Sequence, residues 1–453
     1  MEKHILSKST FMYGCQCPLR LYMHKFKPEL RNPEDEEQAN IFALGTNIGL
    51  LAQGVFPGGI NAEPPDSFSY HISVAKTQQL IKEGAKIIYE AAFNYNGIMC
   101  AIDILIKENG KWYAYEVKNS TKVKLEHLMD AALQYFVITK SGLALEDFFI
   151  TNLDNTYVKR GDIDLKKLFK HISVLETIQD KQNFIEKKVD ELKAMLAAKK
   201  QPVIAPGDHC FSPYDCNFTE HCWKDVVEET VDYGKIEINK TAIKEFINEL
   251  KYPLFYFDFE TVAYPVPEFD ESRPYQAVPF QYSLHVQRKK DAELEHLAFL
   301  GDGENDPREA LIKELLGHLK SKGTILVWYK PFETTRLKEL ARDFPAYAEE
   351  LNDLQNRIID LMVPFKKQYY THPGFEGSAS IKNVLPVLVP DLSYGDLDVQ
   401  DGMTASNMYG SLKNESPKIQ KQHRKALLAY CHLDTLAMLK ILKKLKETTM
   451  MVP

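Results

Sequence analysis

The sequence predicts two α/β domains in series, over residues 1–235 and 236–453. Two separate regions carry buried-strand patterns followed by amphipathic helices, one near 87–140 and one beyond 254. A turn-rich, cysteine-bearing segment and then an acidic run, within 207–250, separate them. At 453 residues the chain also exceeds what one hydrophobic core ordinarily organises.

The net charge of −7 neither advertises a polyanion binder nor excludes one, because acidic metal sites and acidic helices offset local basic patches. No apolar run is long enough to cross a bilayer, and Met1-Glu2-Lys3-His4 lacks a signal-peptide pattern. A cytoplasmic location without a membrane partner is the expectation. Seven cysteines, in a compartment that disfavours disulfides, point to metal binding where they cluster.

In chain order, a Ser/Thr cap signal near Ser7 and a turn at Gly14 lead to Cys15, Cys17 and a short helix beginning near Pro18. An acidic stretch from residue 33, a helix from Gly45 to Ala52, a turn at Phe56-Pro57-Gly58-Gly59 and an amphipathic helix over 73–89 follow. Three strands come next, Ile87–Phe93, Met99–Ile106 and Trp112–Lys118, the last two joined at Asn109-Gly110. They place Asp103 on one arm of a hairpin and Glu116 and Lys118, which share a face, on the other. Asp103 and Glu116 can hold a divalent metal, and Lys118 can orient a water or offset charge on a phosphorane. A surface ion pair between Glu116 and Lys118 is the alternative. Glu90 on the preceding strand and Gln134-Tyr135 on the helix Lys124–Thr139 add polar groups that can face the same place. This order is similar to the PD-(D/E)XK nuclease fold, in its RecB-like branch.

Residues 155–164 read as a hairpin, and 165–199 as charged, lysine-rich helix with a solvated face or a role in phosphate contacts. Cys210, Cys216 and Cys222 then recur at six-residue intervals. With Cys17 they make four thiolates, enough to complete a cubane 4Fe-4S cluster that ties the two ends of the first domain together. Zinc is the rival, with His209 and His221 as further ligands, although zinc sites favour tighter cysteine pairs. Cys100 and Cys431 sit in strand and helix patterns and read as packing residues.

The second domain opens on the strand Leu254–Val262, apolar but for Asp258 and Glu260. Residues two apart in a strand share a face, so the two carboxylates project together, with Phe257 and Phe259 opposite. Hard oxygen ligands in that arrangement suit Mg²⁺ or Mn²⁺, and an edge strand with a wet face is the alternative. Strands at Phe280–Val286 and 293–300, a helix at 307–320 and a strand at Gly323–Tyr329 follow. Glu333 begins the next helix, at the strand end where α/β sites gather. A short strand at Ile358–Met362 offers Asp360 as a fallback ligand, and a helix starts near Ser380. On the final helix, Lys418–Lys446, Tyr430 and Asp434 lie one turn apart.

Asp-x-Glu, a later acid and Tyr-x3-Asp together resemble the DnaQ-like DEDD exonucleases, tyrosine subclass, on an RNase H-like fold. That resemblance implies Asp258, Glu260, Glu333 and Asp434 as metal ligands and Tyr430 as the group that orients water. The family has Asp, after Asn, where Glu333 stands. The first domain resembles iron–sulfur nucleases of the CRISPR-adaptation type, which carry a His where Gly49 follows Gly45; Glu90 compensates. The whole chain is similar to an uncharacterised bacterial family, domain of unknown function 2779. Its pieces are Gln16-Cys17-Pro18, Tyr157 to Gly161, His209 to Trp223, Phe257 to Val262 and Arg273 to Gln281. These resemblances imply a metal-dependent nuclease with two hydrolytic sites, acting on single-stranded DNA or DNA ends, 3′→5′ in the second domain. Tyr256, Tyr264 or Tyr275 would stack bases, or are generic aromatics of a core. Two other readings stay open. One domain serves as an inactive nucleic-acid clamp, or the protein is a zinc-stabilised RNA-processing nuclease.

Overall fold

The computed structural model describes residues 5–33, 47–66, 69–226 and 231–450. The acidic run after residue 33, and Gly45 with it, lie outside the described residues. The chain divides into two compact α/β units. The first comprises Met1–Tyr157 and Gly161–Glu229, the second Val158–Arg160 and Thr230–Pro453. Among the described residues no helix is long and apolar enough to cross a membrane.

The first unit is built on a seven-stranded sheet. β1 (Leu6–Ser7), β2 (Ile60–Asn61), β3 (Ile87–Tyr95), β4 (Ile98–Glu108), β5 (Lys111–Lys118), β6 (Leu145–Leu153) and β7 (Phe169–Ser173) contribute. The order is β2-β3-β4-β5-β6-β7, with β1 beside β4. Asn96-Gly97 and Asn109-Gly110 close the β3–β4–β5 meander, each with both residues at positive φ, the backbone that twisted two-residue hairpins demand. α1 (Lys8–Gln16), α2 (Pro18–Phe26) and α3 (Tyr70–Lys82) precede the meander. α4 (Leu125–Lys140) crosses over to bring β6 parallel to β5. Its Ala131, Leu133, Val137 and Ile138 join the core with Ile102, Leu105 and Ile150.

Two expectations fail here. Residues 155–164 form an irregular loop rather than a hairpin, and 165–199 is not one helical stretch. Phe169–Ser173 instead forms the edge strand β7 against β6, and only α5 (Gln182–Ala198) is a long helix. The lysine content masked a short alternating segment whose pairing with β6 outweighs its local propensity.

The second unit holds a mixed five-stranded sheet, ordered β11-β10-β9-β12-β13. Besides it, β8 (Glu237–Ile238), which precedes α6 (Lys240–Asn248), pairs with β14 (Tyr370–Thr371). β9 (Leu254–Ala263), β10 (Ala277–Gln287) and β11 (Leu294–Leu300) are antiparallel. β12 (Thr324–Val327) and β13 (Ile358–Asp360) continue parallel to β9. β9 is buried on both faces. Phe255, Phe257 and Phe259 pack with Leu311 and Leu315 of α7 (Arg308–His318) and Leu337 and Leu340 of α8 (Lys330–Asp343). Leu254, Tyr256 and Val262 pack with Leu427, Met438 and Ile441 of α11 (Pro417–Met450). Strand alternation therefore puts Asp258 and Glu260 under α11. α9 (Ile381–Leu388) and α10 (Gly402–Ser411) complete this side.

Candidate functional site

The second unit gathers its acids. Asp258, Glu260, Glu333, Tyr430 and Asp434 all line one cavity, with Trp328, Tyr329, Phe332 and Ile381. Each position follows from its element. Asp258 and Glu260 come from the buried middle of β9. A bulge in β10 beside Glu260, at Phe280, locally changes the pairing, as bulges near functional groups do. Glu333 sits in the first turn of α8, and Tyr430 and Asp434 face the sheet from α11. Glu260, Glu333 and Asp434 are 7%, 1% and 8% exposed, an extreme burial for carboxylates.

Among the described residues none of the four carboxylates forms an ion pair. Glu333 Oε2 and Asp434 Oδ2 have no hydrogen-bond partner. Burial, reinforced by Asp434, raises Asp258 well above the usual carboxylate range. Burial and the charges of Asp258, Asp434 and Glu333 do the same to Glu260, with only Lys382 opposing. Glu333 is raised by burial and Asp258, and burial brings Asp434 to about 7. Four crowded, desolvated oxygen ligands with orphaned lone pairs fit hard divalent cations. Burial and the same carboxylates raise the Tyr430 phenol, so it remains a neutral donor.

Three neighbours lay beyond the sequence reading. Tyr394 donates a 2.6 Å hydrogen bond to Asp434 Oδ1 from an irregular stretch. Cys431 touches Asp258 Oδ2 at 3.8 Å, and its sulfur groups with oxygens of Asp258 and Glu260 within 4.8 Å; burial and the Asp258 charge raise its thiol pKa. Tyr329 is 45% exposed at the cavity, at φ +78°, where aromatic residues rarely sit. Asp360 holds it there. Its two oxygens accept from the amides of Tyr329 (3.1 Å), Lys330 (3.0 Å) and Met362 (3.0 Å). Asp360 is thus a positioning residue, not a spare ligand. Tyr256, by contrast, is 2% exposed in the core and out of reach of any base. Tyr264 is half-buried against Phe269.

The first unit treats its acids differently. The β3–β4 and β4–β5 registers bring Glu90, Asp103 and Glu116 opposite one another across three strands. Glu90 takes φ +53°, a strained backbone that breaks the ladder at that row. Asp103 Oδ2 accepts the Val117 amide at 2.5 Å. Here two cations lie inside the cluster. Lys118 reaches Glu116 at 2.8 Å and also bonds Asp130 of α4. Lys8 of α1 reaches Glu116 at 2.7 Å and Asp130 at 3.5 Å. Burial opposes ionisation of Glu116, but Lys118 and Lys8 hold it well below the usual range. Burial and Glu116 raise Asp103, and burial and Glu116 bring Glu90 to about 7. Gln134 is fully buried and donates to Asp130 Oδ1 at 3.3 Å. Tyr135, about 100° further round the helix, instead accepts from Gln179 with its hydroxyl.

Cys17, Cys210, Cys216 and Cys222 line a single cavity with Met23, Ile204 and Phe218. Cys17 ends α1 and caps α2. Gln16 and Arg20 bind the late segment through the carbonyls of His209 (2.7 Å) and Asp215 (3.2 Å). Cys15 points into the main core, where burial raises it to about 12. Burial also raises Cys216, and Cys222 to about 11. Among the described residues no three of these sulfurs come within 4.8 Å of one another. A tetrahedral Zn²⁺ with 2.3 Å bonds needs sulfurs about 3.8 Å apart.

The second unit's strand core carries a family signature. Residues 255–380 match the family described as Domain of unknown function (DUF2779). The match holds Asp258, Glu260 and Glu333 and stops before Tyr430 and Asp434. Uncharacterized protein MG366 of Mycoplasma genitalium is 28% identical over 218 residues, 43% of this chain and 32% of that protein. Uncharacterized protein UU173 of Ureaplasma parvum is 26% identical over 197 residues, 38% of this chain and 27% of that protein. The aligned parts therefore span less than a third of either relative.

Proposed function

We infer that the protein is a divalent-metal-dependent nuclease whose principal hydrolytic site is Asp258, Glu260, Glu333 and Asp434. The observation that carries this is their convergence on one cavity with no ion pair to any of them among the described residues, two oxygens being orphaned. Single-stranded DNA or DNA ends are the substrate, degraded 3′→5′ as in the DEDD exonucleases the motif resembles. The sheet supports an RNase H-like reading, since it has three antiparallel strands followed by two parallel to the first.

The four carboxylates would hold the metal ions, which when bound supply positive charge at the scissile phosphate and a more acidic water. The chain's own part is positional. Tyr430 keeps its proton and orients the attacking water. Tyr394 fixes one oxygen of Asp434, leaving the other for a ligand. Tyr329 offers an exposed ring at the cavity on which a base can stack.

The β3–β4–β5 meander, followed by α4 and the parallel β6, supports a PD-(D/E)XK reading of the first unit. Its own lysines favour binding over cleavage there, because Lys8 and Lys118 already neutralise Glu116 and Asp130. The first unit then acts as a clamp for nucleic acid. Four cysteines lining one cavity support a thiolate-held 4Fe-4S cluster, with Zn²⁺ as the alternative.

Incubation of single-stranded DNA and of RNA of the same sequence with Mn²⁺ tests the reading. Cleavage should be abolished by chelation and fall by roughly 10³-fold in Asp258→Asn. Wild-type protein that leaves both polymers intact overturns it.

A further inference from the structure

A second cluster of ligands lies in the same unit, and it has no carboxylates. His285 of β10, His296 of β11 and His432 of α11 bring three imidazoles together, with ring centroids 4.6, 4.7 and 4.3 Å apart and the His296–His432 pair edge to face. One nitrogen from each lies within 4.8 Å of one from each of the others. His285 and His296 are direct cross-strand partners in the β10–β11 ladder, and α11 lays His432 against both.

Hydrogen bonds to two hydroxyls orient two of the rings. His285 Nδ1 lies 2.8 Å from the Thr435 hydroxyl and His296 Nε2 lies 2.9 Å from that of Ser283, and the two hydroxyls are themselves 2.7 Å apart. In each of these rings one nitrogen is engaged by a hydroxyl, and the other has no hydrogen-bond partner among the described residues. Among the described residues the His432 ring has no hydrogen-bond partner at all. A ligating histidine whose other nitrogen donates to a fixed oxygen is how protein metal sites orient imidazoles.

We propose that His285, His296 and His432 bind a borderline transition-metal ion, Zn²⁺ in particular, with a fourth position open to solvent. Neutral imidazoles suit Zn²⁺ and repay hard Mg²⁺ poorly, so the two sites of this unit select different metals. Closing from 4.8 Å to tetrahedral spacing falls to His296, which is exposed on the edge strand β11. The consequence is mechanical. His432 lies between Tyr430 and Asp434 on α11, so the ion would fasten that helix to the β10–β11 edge and set its register over the carboxylates. This inference does not depend on the nuclease reading.

The test uses the full chain, purified anaerobically with its cysteine site loaded and Asp258 intact. Zn²⁺ is titrated calorimetrically, and Co²⁺ by visible absorption, with metal content measured per chain. Wild type should bind one more equivalent than His296→Gln, or bind it at least 100-fold more tightly, and only wild type should gain thermal stability with Zn²⁺. His296 is exposed, so this variant should fold; His432→Gln should behave alike. Equal stoichiometry, affinity and thermal response in wild type and both variants overturn the proposal.

Discussion

Asp434 shows how one residue can be costly and useful together. One oxygen is held by Tyr394, the other faces the cavity with no partner, and burial brings its pKa to about 7. A carboxyl raised above its unfolded value binds a proton in the folded chain that the unfolded chain has released. Its protonated form favours folding near pH 4, and this contribution is lost as pH rises through about 7. Asp258, Glu260 and Glu333 are raised as well and add the same sign. Without metal, thermal stability should therefore fall between pH 4 and 7 on account of this site, and Mn²⁺ should restore it near neutrality. Asp434→Asn should melt higher than wild type in chelator at pH 7 and lose most of the Mn²⁺-induced gain. Scanning calorimetry at several pH values checks both. The residues of this site were readable because their spacings are local: two apart on a strand, four apart on a helix, one at a strand end. Tyr394 was not, because it lies in an irregular segment where no periodicity marks a face.

At the scale of elements, the two units handle buried carboxylates in opposite ways, and α1 makes the difference. It carries Lys8 to the acids of β3, β4 and β5 and ends at Cys17. Lys8→Met should strengthen Mn²⁺ binding at the first unit by about tenfold or more, since one unit of positive charge leaves a buried site. Electron paramagnetic resonance of Mn²⁺, in an Asp258→Asn background, reads this directly; unchanged binding would show that Lys8 does not block the site. The same helix distinguishes its two cysteines. If the four cysteines hold the proposed cluster, Cys17→Ser should lose its visible absorption and lower the melting temperature of the first unit, whereas Cys15→Ser should keep the chromophore. The meander and α4 could be read from turn residues and helical periodicity. Lys8 could not, since it bonds a residue 108 positions away and local pattern says nothing of such pairs. The edge strand β7 was hidden among lysines for the related reason that its stability comes from β6. Tyr256 shows the converse case: it shares a core face with Leu254, and the alternation that placed Asp258 also buries it.

For the molecule as a whole, a modest net charge of −7 conceals two acid clusters, one neutralised from within and one not. The α/β class was visible in composition and pattern. Which cluster is left without an ion pair was not, because that depends on Lys8, which the fold brings to the other cluster. Hydrolysis at the second unit's carboxylates is tested by a time course on single-stranded DNA, labelled separately at each end and run with Mn²⁺ under anaerobic conditions, with wild type beside Glu116→Ala and Asp258→Ala. Asp258→Ala should abolish every product, while Glu116→Ala should keep the ladder and weaken DNA binding. A ladder that survives Asp258→Ala and disappears in Glu116→Ala would contradict it and move the chemistry to the first unit.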